Sequence, residues 1–143
     1  MEARDNDGRT PLLTAALFGN AVGVAELLGR GANIETPDHE GNSPARTALE
    51  LNREAIFFRL LDEGADLETR DRRGRTMLWY IAGSDFRQDV YTRILSELLS
   101  RGVDVDARDD EGITPLKKAG LMGNVQFLQT VQSIRGAKSH GNM

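Results

Sequence analysis

The chain has 143 residues, 39% of them hydrophobic and 28% charged, no cysteine and a formal net charge of −4. These are ordinary values for one soluble domain; they exclude disulfides and thiol chemistry and leave no basic footprint for nucleic acid. No apolar run approaches the roughly 20 residues of a membrane span and no charged-then-apolar leader opens the sequence, so an intracellular protein, cytoplasmic or nuclear, without nucleic-acid or membrane partners is expected.

The first informative stretch is Asp5 to Asn20, DNDGRTPLLTAALFGN. Gly8 permits a tight turn, the Thr10 hydroxyl can cap a helix, and Pro11 suits the first helical position. Leu12, Ala15 and Ala16 then give a small apolar face, and Gly19 can take the left-handed conformation that stops the helix after about two turns. A second helix follows, weakened by Gly23 where later stretches carry Ile56, Ile94 and Phe127. Replacing that glycine with alanine is expected to stabilise the domain by up to about 1 kcal/mol.

The same pattern returns three times. Turn glycines stand at Gly8, Gly41, Gly74 and Gly112, spaced by 33, 33 and 38 residues, and a second series at Gly31, Gly64 and Gly102 keeps the interval. Helix starts recur in phase at Thr10-Pro11, Ser43-Pro44, Thr76-Met77 and Thr114-Pro115. A period of this length implies a stacked array, with repeats at about 5–37, 38–70, 71–108 and 109–135 and a tail at 136–143 that lacks apolar periodicity and is expected to be mobile, without regular structure. In the second repeat Asn52 stands where the other repeats place a helix-stopping glycine, and Ile56, Phe57, Phe58, Leu60 and Leu61 mark the centre of the core. The third holds five extra residues between Ala82 and Val90. Asp85 as cap and the stripe Phe86, Val90, Ile94 and Leu98 predict a long second helix from about Phe86 to Leu99. The fourth ends in a helix with a polar flank, Gln126, Gln129 and Gln132, as a terminal cap should.

DNDGRTPLLTAALFGN with LLGRGANIE, DHEGNSP with LLDEGADLE, DRRGRT with LLSRGVDVD, and DDEGITPL with AGLMGN together resemble the ankyrin repeat over about residues 5 to 135. The resemblance implies an all-α solenoid of four stacked helix-turn-helix repeats with β-hairpin-like turns. It further implies a non-catalytic adaptor or scaffold that binds another protein through a concave face and its turn tips. The histidine that the family places after Thr-Pro-Leu is Leu13, Arg46, Trp79 and Lys117 here, so the hydrogen bonds of that histidine are lost, each worth about 0.5–1.5 kcal/mol.

The family's contact positions fall on Arg9, Leu17, Phe18, Glu50, Leu51, Arg73, Arg75, Leu121 and Met122, which together with the aromatic Trp79 are the predicted partner-binding residues. The apolar members among them form a candidate interaction patch. Arg70, Arg72, Arg73 and Arg75 make a basic tip flanked by acidic ones, a candidate for an acidic partner or for mutual neutralisation. Two other functions are weighed. The first repeat has no polar repeat before it, which suits homo-oligomeric assembly. Trp79, Tyr80, Phe86 and Tyr91 can floor a pocket beside the insertion, for a small molecule or for catalysis. No catalytic residue, cofactor or metal is predicted: His39 sits on a turn tip, and DVDARDDEG lacks the ligand order and glycine placement of a calcium loop.

Overall fold

The computed structural model describes residues 3–84 and 88–141, and among these every regular element is helical. Two compact units divide the chain, Met1–Arg72 and Arg73–Met143. Unit one contains α1 (Pro11–Leu17), α2 (Ala21–Gly29), α3 (Pro44–Glu50) and α4 (Glu54–Asp62). Unit two contains α5 (Met77–Ala82), α6 (Gln88–Ser100), α7 (Pro115–Met122) and α8 (Val125–Gly141).

Every first helix of a pair starts by the same chemistry. The hydroxyls of Thr10, Ser43, Thr76 and Thr114 accept from the backbone N–H of Leu13, Arg46, Trp79 and Lys117 at 3.1–3.2 Å, and prolines open α1, α3 and α7. Each cap satisfies an N–H that would otherwise lack a partner. Ahead of the caps at Thr10, Ser43 and Thr114, one carboxylate oxygen closes the turn. Asp5 Oδ1 accepts from Asp7 and Arg9, Asp38 Oδ1 from Glu40 and Asn42, and Asp109 Oδ1 from Glu111 and Ile113. The Arg9 N–H, joined by that of Asp7, holds the Asp5 carboxyl below the usual carboxylate range.

The first helices stop as the sequence predicts in three of the four pairs. Gly19, Asn52 and Gly123 take φ of 71°, 61° and 67°, and the next residue's N–H returns to Ala15, Ala48 and Ala119 carbonyls. Asn52 is the one non-glycine with positive φ among the described residues. In the third pair Gly83 keeps an ordinary φ of −100°, and the Ser84 hydroxyl donates to the Tyr80 carbonyl instead.

In unit one, α1 packs on α2 and α3, and α4 on α2 and α3. Leu12, Leu13, Ala16, Val24, Leu49, Phe57 and Leu60 are buried between them. Phe57 also meets Phe58 edge to face at 5.6 Å. In unit two, α7 packs on α5 and α8, and α6 on α5 and α8, around Met77, Ile81, Leu95, Leu98 and Phe127. Full burial of each such side chain contributes about 1.5–3 kcal/mol, so the short helices depend on packing rather than on propensity.

Two expectations need correction, and a third is visible only in part. The tail expected to lack structure is helical to Gly141, because α8 continues from Val125 without a stop. The long helix of the third pair runs over Gln88–Ser100, four residues longer than α2 or α4, while Asp85 and Phe86 lie outside the described residues. Gly23 also has a local role: it is the third residue of α2, its N–H donates to the capping Asn20 Oδ1 at 2.9 Å, and an alanine methyl there would lie 2.6 Å from Asn20 Nδ2. The gain in helix propensity, about 0.8–1 kcal/mol, is therefore opposed by displacement of a cap of similar worth. Gly23→Ala should leave the urea midpoint nearly unchanged in the native background but stabilise by about 0.8–1 kcal/mol in an Asn20→Gly background. Equal effects in both backgrounds would contradict the conflict.

Candidate functional site

The turn tips are joined by backbone rungs. His39 N–H donates to the Asp7 carbonyl at 3.0 Å and Arg72 N–H to Glu40 at 3.1 Å in unit one; Asp110 N–H donates to Arg73 at 2.9 Å in unit two. Close approach needs the turn glycines. A side chain on Gly41 would meet the backbone of Asp71 and Arg72 at 3.0 Å, and its φ of 82° suits glycine alone.

The tip charges are largely engaged. Arg9 pairs with Asp7 at 3.2 Å and Asp5 at 3.8 Å, and Arg72 with Glu40 at 3.4 Å across neighbouring tips. Exposed pairs of this kind contribute about 0–1 kcal/mol each and reduce the local field that an acidic partner would sense. Glu50 is half-buried and holds the Arg46 guanidinium at 3.4 Å.

Arg46 was legible in the sequence only as a missing histidine. Its side chain is 1% exposed, and besides Glu50 it reaches Asp71, 4% exposed, at 3.5 Å. An ion pair therefore crosses from α3 to the residue that opens the next tip, inside unit one. Such a pair is costly to break, because the remaining charge cannot recover its water. Elsewhere in unit one, partial burial raises the Glu35 carboxyl above its ordinary value, against the Asp66 N–H that donates to it at 3.1 Å.

The first-helix C-termini carry four exposed large apolar residues, and Val22 and Val125 stand exposed in the first turns of α2 and α8. Phe18 is 71% and Leu51 42% exposed in unit one; Leu121 is 66% and Met122 56% exposed in unit two. Phe18 and Leu51 occupy equivalent positions, each the C-terminal cap of its helix. Leu17 is half-buried, and its carbonyl accepts from Arg53 Nη2 at 3.2 Å.

Trp79 lies half-buried in unit two with two cations over its ring, Lys118 Nζ at 4.6 Å and Arg75 Cζ at 5.2 Å from the centroid. Gly83 makes room for this: a Cβ there would meet Lys118 Cε at 2.6 Å. Trp79, Arg73, Arg75, Ile113 and Lys118 line a groove of about 350 Å³ beside the acidic tip Asp109 to Glu111. The aromatic group expected here is only partly visible, since Phe86 and the Tyr91 side chain lie outside the described residues. Among the described residues no group of histidine and acidic side chains could hold a metal ion, and no helix is long and apolar enough to cross a membrane.

A family model of ankyrin repeats in three copies matches residues 1–71, and this stretch belongs to that family. Ankyrin repeats are generally protein–protein interaction modules and typically non-catalytic. No curated protein matches the chain.

The buried pair gives a test. Arg46→Ala, which leaves the Asp71 carboxylate buried, should cost about 3–5 kcal/mol in urea denaturation. Arg46→Leu with Asp71→Asn should recover most of it, since Leu13 fills the equivalent place in α1. A single substitution costing under about 1 kcal/mol would mean that the pair is solvated.

Proposed function

We propose that this protein is a non-catalytic binding module, an adaptor or scaffold, that takes another protein on the C-terminal ends of its first helices and the adjoining turn tips. The observation that supports this most is the exposure of Phe18, Leu51, Leu121 and Met122 on helices whose other faces bury Leu12, Leu49 and Ala119. Large apolar side chains kept in water next to a complete core are typical of interaction surfaces. The neighbouring tip charges are mostly internally paired, so they select among partners more than they add affinity. The general role of ankyrin repeats points the same way. Arg9, Leu17 and Glu50 belong to the unit-one part of this reading, and Arg73, Arg75 and Trp79 to the unit-two part.

Two double variants test the reading, Phe18→Asp with Leu51→Asp and Leu121→Asp with Met122→Asp, each checked for unchanged helical content. A partner captured from matched lysate by the intact protein should be weakened about thirtyfold by at least one pair, the roughly 2 kcal/mol of an interface anchor. Identical capture by all three proteins would refute the proposed surface.

A further inference from the structure

A groove in unit one, about 670 Å³, is not used by the helix-end surface except at Phe18. Pro11, Thr14, Ala15 and Leu27 line it, and its two carboxylates, Asp5 and Glu26, pair with Arg9 and Arg30 of the same lining. The repeat register explains its shape. Thirty-three residues later, Pro44, Thr47, Ala48 and Leu60 are buried, in a unit where α3 packs on α1 and α4 on α2. The surface with which the second helix pair receives the first thus recurs on the first pair, lining a groove.

The tips carry the same asymmetry. The rungs His39 to Asp7, Arg72 to Glu40 and Asp110 to Arg73 all run from a tip's second residue to the third residue of the tip before it. Continued in both directions, this register offers the Asn6 N–H as a donor and the Glu111 carbonyl as an acceptor, neither bonded among the described residues. The glycines agree independently. The next tip lies against Gly8, Gly41 and Gly74, whereas the space over Gly112 is open. Gly120 is likewise open and exposed on α7, at the register of the buried Ala16 and Leu49.

We infer that a second copy of this chain seats its α7 and α8 in the groove of unit one, head to tail, with the Asn6 N–H of one copy donating to the Glu111 carbonyl of the next. Donor meets acceptor and groove meets the matching helix pair. The exposed glutamines Gln129 and Gln132 of α8 keep the contact weak and dependent on concentration. Because the two surfaces differ, the contact is heterologous, and copies add head to tail rather than pairing through one shared patch.

Sedimentation velocity from micromolar to millimolar protein tests this with two blocking variants. Thr14→Arg fills the groove. Gly120→Arg obstructs the opposite surface, and the open space around Gly120 lets the monomer accept it. Circular dichroism checks that both remain helical. The native chain should sediment faster as concentration rises, and each variant alone should stay monomeric. Their equimolar mixture should form a dimer and nothing larger, since it contains one open groove per open α7–α8 surface. A native chain that stays monomeric throughout overturns the inference. So does a Gly120→Arg variant that associates like the native chain, because grooves would then be meeting each other. Self-association can fail while capture of another protein persists, so this outcome and that of the binding module are separately readable.

Discussion

The rungs between turn tips are the constraint on which the rest depends. A backbone N–H can reach the preceding tip's carbonyl only if both turns are tight and no side chain intervenes. This is why the turn glycine takes positive φ and why one aspartate oxygen holds two N–H groups of its own turn. Once a tip is set, the hydroxyl cap and the proline behind it fix where the first helix begins. That in turn sets which residues are buried and which stand at the exposed C-terminal end. The candidate binding surface is thus a consequence of turn geometry as much as of side-chain choice.

Two departures from the repeated pattern give the chain its individuality. Where α1 has Leu13, α3 has Arg46, which exchanges a simple apolar contact for a buried ion pair with Asp71. The desolvation cost of such a pair makes it a poor source of net stability but a strict condition on geometry, since neither charge tolerates loss of the other. At the equivalent place in α5, Trp79 carries two cations on its face and rims a groove. Cation–aromatic contacts of about 0.5–1 kcal/mol are easily exchanged for a partner's groups, so this edge is suited to selectivity.

Much of this was legible in the residues because the signals were local. Thr10, Ser43, Thr76 and Thr114 cap as their hydroxyls suggest, and Asn52 goes left-handed as its side chain allows. The exposure of Phe18 and Met122 followed from register alone. What was not legible depended on distance in the chain. The absent histidine suggested lost bonds, while the reach of Arg46 to a carboxylate beyond α4 could be seen only in the fold. Glu50 and Arg9, picked as contact residues by alignment, turned out to hold partners of their own, because long charged side chains settle on whatever counter-charge the backbone brings near. Gly23 was read from propensity, which does not register the amide of Asn20 beside it. The helix through Gly141 was missed because its last turns lack an apolar stripe.

Hydrogen exchange followed amide by amide addresses the tip rungs most directly. The N–H groups of His39, Arg72 and Asp110 should be protected well beyond ordinary exposed turn amides, while the equivalent Asn6 amide, measured in dilute solution, should exchange freely. If all four exchange at the same unprotected rate, the tips are not held by backbone rungs, and the register from which the binding surfaces were derived has no physical basis.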